Sequence, residues 1–173
     1  MDVLDAIRHI RVIRRYDARP VPGDVLAAIV DAGRHAGSSK NQQRWEFIVV
    51  TSRDTLRALG EVGRYADHVP GAAAAIGLVT PDPPEPRVQL SITWDIGRAA
   101  QNIVLAAWGL GVGSCPVTVY DHDLARKLLG YPAGRRCPYL IVLGYPADPD
   151  DLRRAPRPGG RKGYAEVVHE GAW

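Results

Sequence analysis

Two cysteines, one phenylalanine and three lysines are all that 173 residues hold of those types, and each scarcity removes a class of function. Cys115 and Cys137 form no C-x-x-C pair, which argues against a zinc site or a disulfide scaffold and suits a reducing compartment. The five histidines show neither H-x-x-x-H nor H-E-x-x-H spacing, so no metal ligand set is expected. A G-x-S-x-G elbow is missing, leaving serine hydrolase chemistry without support. With one phenylalanine, the chain lacks the aromatics that interleave with basic residues in single-strand nucleic acid binders. No stretch approaches 18 uninterrupted apolar residues, and acidic residues interrupt the first fifteen. Neither a membrane anchor nor a signal peptide is expected, and a soluble cytoplasmic protein is.

What is present is apolar and arginine-rich. At 46% hydrophobic, the chain is long enough for one domain, residues 1–173, with a real core. Nineteen arginines help to leave a formal net charge of only +3, which favours a small anionic ligand over a duplex. Val3, Leu4, Ile7 and Ile10 predict a first helix, and Leu26, Ile29, Val30 and Gly33 a second beginning near Pro22 to Asp24. Strands are expected over 45–51, 72–80, within 109–121 and over "CPYLIVLGYP", with short helices over 53–63 and "DLARKLLG". The four prolines of "PDPPEPR", 81–87, predict an irregular loop. From about Ser91 to Leu110 runs the longest predicted helix, apolar on several sides and so expected to be buried on several sides. The tail has no core of its own, yet Tyr164, Val167, Val168 and Trp173 suggest that it docks. No repeats are present.

Three short stretches invite chemistry. "RHIRVIRRYDARPVP" (8–22) places five arginines among apolar residues. It reads either as a solvated face or as an anion site. "GSSKNQQRW" (37–45) joins a helix to a strand with groups that both donate and accept hydrogen bonds. It is either a self-satisfied polar loop or an edge for a heterocycle or phosphate. "GLGVGS" follows a helix and precedes a strand, the reverse of a Rossmann fingerprint. A helix cap with a tight turn, or a close path for a flat ring, remains open there.

Taken in order, "IRRYDARPVP", "GSSKNQQRWEF", "WDIGRAAQNIVLAAWGLGVGSCPVTVYD", "LIVLGYP" and "RPGGRKGYAEVVHEGAW" resemble the flavin-dependent nitroreductase family from near the first residue to the last. The resemblance implies an α+β fold whose central sheet is mixed but mostly antiparallel and flanked by helices. Two subunits intertwine as a homodimer, with a long central helix and a C-terminal tail crossing to the partner. It also implies non-covalent FMN in clefts between subunits. NAD(P)H reduces the flavin, which then reduces a nitroaromatic, quinone or related acceptor in a ping-pong cycle through flavin N5. A protein that binds flavin or nucleotide on the same fold without turnover is the alternative.

Residue by residue, the family's R-R-S-x-R-x-F/Y box falls on Ile10 to Tyr16, with Ile10 and Val12 replacing an arginine and the serine. The resemblance gives Arg11 to the FMN phosphate, helped by Arg161 and Lys162 of the tail, and Arg14 to the flavin N1 and C2 carbonyl. Arg8, Arg15 and Arg19 are left to solvent. Ser38, Ser39 and Asn41 match a loop that reaches FMN from the second subunit, with Gly37 and Arg44 in place of two prolines. Pro116, Val117, Thr118 and Val119 match the strand end beside the ring, where the N–H groups of Thr118 and Val119 would face N5 and O4. Val119, often glycine in such proteins, would crowd the ring, and the loop near 81–90 would serve as a short lid.

Overall fold

The computed structural model describes residues 2–155 and 159–173; Arg157 and Pro158, the first two residues of the tail motif, lie outside the described residues. Helix α1 (Val3–His9) begins where the Asp2 carboxylate accepts from Leu4 N at 2.7 Å and Asp5 N at 3.2 Å, satisfying two N–H groups that a helix start leaves unpaired. Helix α2 (Gly23–Arg34) buries Leu26, Ile29 and Gly33, the stripe that its spacing predicts. The strands are β1 (Glu46–Val50), β2 (Ala74–Pro81), β3 (Gly113–Thr118) and β4 (Arg135–Gly144), ordered β1-β2-β4-β3. All three pairings are antiparallel. The expected parallel component shrinks to one isolated bridge, Val12 beside Ser114.

Strand β2 lies inside the sheet and is buried from Ala74 to Thr80, which explains an unbroken apolar run in place of an alternating one. Its side chains divide with period two. Ala75 and Val79 join Leu56 and Leu59 of α3 (Arg53–Leu59) and Ala125 of α5 (His122–Leu129). Ala74, Ile76 and Leu78 face α2 and Ile96, Ala99 and Ile103 of α4 (Pro86–Gly109) on the other side.

Two boundaries depart from the sequence reading. Helix α3 stops at Leu59 instead of reaching 63, because Gly60 ends it and the chain then turns repeatedly until Ala72. Helix α4 starts at Pro86, five residues before Ser91. Pro86 occupies the first turn, where a missing N–H breaks no intrahelical bond, while Pro81 closes β2. The irregular loop is thus only 82–85. Within one chain α4 is also less enclosed than predicted: Leu90 and Trp94 are 73% and 71% exposed. Tyr164, Val167, Val168 and Trp173 are uncovered as well, on and beyond the short helix α6 (Tyr164–Val167). No helix among the described residues is long and apolar enough to cross a membrane.

Candidate functional site

The arginine-rich segment is drawn onto the edge of the sheet by backbone bonds. Ile13 N donates to Ser114 O at 2.9 Å, Asp17 N to Tyr145 O at 2.9 Å, and Ala147 N to Arg15 O at 3.0 Å. Tyr16 Oη donates to Ile13 O at 2.6 Å and folds the segment on itself. Two glycines make the approach possible: a Cβ on Gly113 would lie 2.8 Å from Ile13 Cβ, and one on Gly144 would lie 2.7 Å from Tyr16 Cδ1. Burial pushes the Tyr16 phenol far above its usual range, and the nearby Cys115 thiol adds to that.

This docking opens a cavity of about 1000 Å³ between the end of α1, residues 10–15, β3, Gln101 and Val104 of α4, and Asp151, Arg154, Ala155 and Gly159 to Arg161 of the tail. Arg8, Arg11, Arg14, Arg15, Arg154 and Arg161 line it, against the single carboxylate, among the described residues, of Asp151. Such a wall suits a ligand carrying more than one negative charge.

Of the residues singled out from sequence, Arg11, Val12, Arg14, Pro116 and Arg161 line this cavity. Arg11 is partly committed, since its Nη2 donates to the carbonyls of Arg154 and Ala155. Its Nε is buried without a partner among the described residues. Arg8 and Arg15, left to solvent by the sequence reading, line the cavity too, because the backbone bonds of Ile13 and Arg15 bring the whole turn to its wall. Only Arg19 keeps away: its Nε donates to Asp17 Oδ2 at 2.7 Å, and its guanidinium lies 4.3 Å from the centre of the Tyr145 ring. Lys162 is exposed and is not part of the wall.

The end of β3 corrects two expectations. Val119 N–H donates to Pro138 O at 3.0 Å, so it is engaged within the sheet rather than presented to a ring. Antiparallel alternation turns the Thr118 N–H the other way, away from β4. The Val119 side chain is buried, as is that of Val117, in the α3/α5 core. It crowds nothing outside.

Ser38, Ser39 and Asn41 lie outside the cavity of their own chain. Their loop packs on the N-terminal half of α4. Lys40, Asn41 and Gln43 have φ of 53°, 54° and 48°, the only non-glycine residues with positive φ among those described. That region costs an L residue energy and commonly marks sites of function. Ser38 Oγ accepts from Gln43 N at 2.9 Å, and Gln43 Nε2 donates to Asn41 Oδ1 at 3.1 Å. The loop is tied to α4 by Asp95, which is 2% exposed and accepts from Ser39 N through both oxygens, at 3.1 and 3.0 Å. Arg44 Nη2 lies 3.8 Å from Asp95 Oδ2 and donates to Ser91 Oγ at 2.9 Å. The guanidinium of Arg98 fills the space that a side chain at Gly37 would need. Asp95 was missed from sequence, although a signal exists. It falls three residues after Ile92 and four before Ala99 on a buried helical stripe, where an unpaired charge is not tolerated.

Comparison with known proteins bears on the family and the fold. The sequence profile of the nitroreductase family matches residues 7–75 and 82–145. A protein of Methanothermobacter thermautotrophicus described as an NADH dehydrogenase/NAD(P)H nitroreductase is 36% identical over 153 residues, covering 86% of this chain and 79% of that one. The NADPH-flavin oxidoreductase of Vibrio harveyi is 25% identical over 158 residues, covering 84% of this chain and 66% of its own. Among solved structures, the FMN-dependent nitroreductase of Clostridium difficile R20291 superposes with a TM-score of 0.83 at 24% identity, over 98% of this chain and 99% of the other. The fold is therefore shared with that structure, and by the extent of its sequence match this chain belongs to the nitroreductase family.

Proposed function

We propose that this chain is a single-domain, FMN-dependent oxidoreductase. It takes electrons from NADH or NADPH and delivers them to nitroaromatic, quinone or related acceptors in a ping-pong cycle, as a homodimer. The observation that carries the reading is the arginine-lined cavity. Its residues fit FMN, because the Nε of Arg11, buried without a partner among the described residues, and the guanidinium excess call for a phosphate-bearing ligand. When bound, FMN supplies a carrier that accepts hydride from a nicotinamide and passes on two electrons.

The chain's own residues have separable tasks. Arg11 and Arg161 hold the phosphate, and Lys162 at the tail adds positive charge. Arg14 places a cation where negative charge accumulates on reduction, which favours the reduced state. Thr118 donates its backbone N–H from the side of β3 that faces away from β4. Ser38, Ser39 and Asn41 serve the site of the partner subunit, consistent with their position away from their own cavity. Leu90, Trp94 and the apolar tail supply uncovered surface for that association.

Anaerobic titration of the FMN-loaded protein with each nicotinamide tests this reading. Stoichiometric loss of the oxidised flavin spectrum, followed by its return on adding a quinone, is the expected outcome. Val12, apolar and 48% exposed in the cavity wall, is the observation that favours flavin binding without turnover. A yellow protein inert to both nicotinamides would establish that alternative.

A further inference from the structure

We propose that Asp95 is a positioning residue that locks the Ser38–Gln43 loop in a strained shape, so that Ser38, Ser39 and Asn41 meet the flavin of the partner subunit already arranged. The proposal rests on the functional reading above and adds to it a residue and a mechanism of preorganisation.

The argument starts from what the loop lacks. Residues 39–43 are all exposed, so no buried apolar side chain within them anchors the loop. Gly37 and Arg44 stand on either side of it, and neither carries the ring that makes proline stiff. Three of its residues nevertheless hold left-handed backbone angles, a conformation that an L residue leaves readily unless its surroundings prevent it. The bonds from Ser38 Oγ to Gln43 N and from Gln43 Nε2 to Asn41 close the loop on itself without attaching it to the fold.

Attachment comes from α4. Asp95 grips Ser39 N–H with both oxygens, and Arg44, bonded to Ser91, stands beside the same carboxylate. Burying a carboxylate is costly unless it is paired and hydrogen-bonded, and here the hydrogen bonds come from Ser39 N–H inside the loop and the counter-charge from Arg44 just after it, 3.8 Å away. If the loop only needed to be stable, an uncharged residue at 95 with a relaxed backbone above it would suffice. The buried charge and the strained backbone together fix one particular presentation of Ser38, Ser39 and Asn41.

Asp95→Asn tests this, because the amide replaces one acceptor with a donor that faces the Ser39 N–H and the Arg44 guanidinium. FMN affinity is expected to fall about 10- to 100-fold, and amide exchange across residues 35–44 of the FMN-free protein to accelerate. Adding Lys40→Gly, which adopts positive φ without strain, should recover most of the lost affinity in the double variant. A purely structural Asp95 would lower the melting temperature while leaving FMN affinity and its rescue unmoved, and that result overturns the proposal. Unchanged amide exchange overturns the clamp whatever FMN does. If Asp95→Asn fails to fold, Arg44→Met loosens the same carboxylate and should show the pattern at about threefold; no change in it refutes the clamp equally. Wild-type protein that does not bind FMN refutes the functional reading, and with it the role toward flavin, while the exchange data still decide whether Asp95 holds the loop.

Discussion

Residues 8–15 and residues 37–44 both border α4, yet they are built differently. The first segment gathers four arginines, three of them exposed, and is held mainly by backbone bonds to β3 and the tail. The second holds Lys40 and Arg44 and has its shape dictated by left-handed backbone and a buried carboxylate. Long, mobile cations can gather around an anion in many arrangements. Short hydroxyl and amide side chains reach a ligand only if the backbone delivers them. The contrast teaches that attraction and placement are assigned to separate parts of the chain, and each assignment can be broken on its own.

The largest effect should come from the element that both parts share. Ile103 is fully buried in the C-terminal half of α4, where a Cβ on Gly33 would lie 2.6 Å from its Cγ1. Ile103→Ala is expected to cost about 2–5 kcal/mol in urea unfolding and to weaken FMN binding through both segments together. A loss confined to stability would show that they are less dependent on the helix than their contacts indicate.

Arg14→Ala removes charge while leaving placement intact. A charge-assisted bond of about 1.5–3 kcal/mol corresponds to a fall in the flavin midpoint potential of roughly 30–60 mV, since 30 mV is about 1.4 kcal/mol for two electrons. Arg19→Ala is the proper control, because Asp17 and Tyr145 hold that residue outside the cavity; Arg15 cannot serve, being part of the wall. Equal weakening of oxidised and reduced FMN would make Arg14 a binding residue only.

A third change adds attraction where it is missing. Ile10→Arg with Val12→Ser offers a guanidinium and a hydroxyl to the cavity, and FMN should bind about tenfold tighter. Unaltered affinity in a fluorescence titration would mean that the existing arginines already saturate the phosphate.

The smallest effect separates these regions from the background of the core. Burial pushes the Cys137 thiol from 9.0 to about 12, so above pH 9 the unfolded chain loses this proton while the folded one keeps it. Stability from this group is intact below pH 9 and falls as pH rises toward 12, by at most about 1.4 kcal/mol per pH unit. Burial raises the Tyr16 and Tyr131 phenols and adds loss of the same sign above their usual 10.0. Cys137→Ala should flatten the urea midpoint between pH 9 and 10, and an unchanged slope there would exclude the thiol. At the acid end His68, buried and near Arg14, titrates below its usual 6.5, so stability declines as pH drops beneath that value.

Much of this architecture can be read from residue pattern. The spacing of Leu26, Ile29 and Gly33 identifies the buried face of α2, and the unbroken run Ala74–Thr80 identifies a strand covered on both sides. Where the reading fails, a local rule meets a longer-range one. Pro86 looks like a breaker but is acceptable in a first helical turn, and α4 begins there. Thr118 and Val119 are equivalent in sequence, whereas the ladder with β4 commits the N–H of one and turns the other outward. Arg8 and Arg15 could not be separated from solvent-facing arginines until β3 brought their turn to the cavity. Asp95 was legible only as a charge on an apolar stripe; its partner Ser39 is 56 residues away.

The bonds that place the first segment also set a timetable for making the protein. Arg11 finds its acceptors at Arg154 and Ala155, Ile13 at Ser114, and Asp17 at Tyr145. Translation proceeds at about 5–20 residues per second, so roughly 7–30 seconds separate synthesis of Arg11 from that of its acceptor. During that interval the arginines nearest the start of the chain are free to associate with any polyanion close to the ribosome. The cavity can therefore be completed only after Arg161 has been made, and a nascent protein stalled before residue 114 would carry its cation cluster with none of these acceptors.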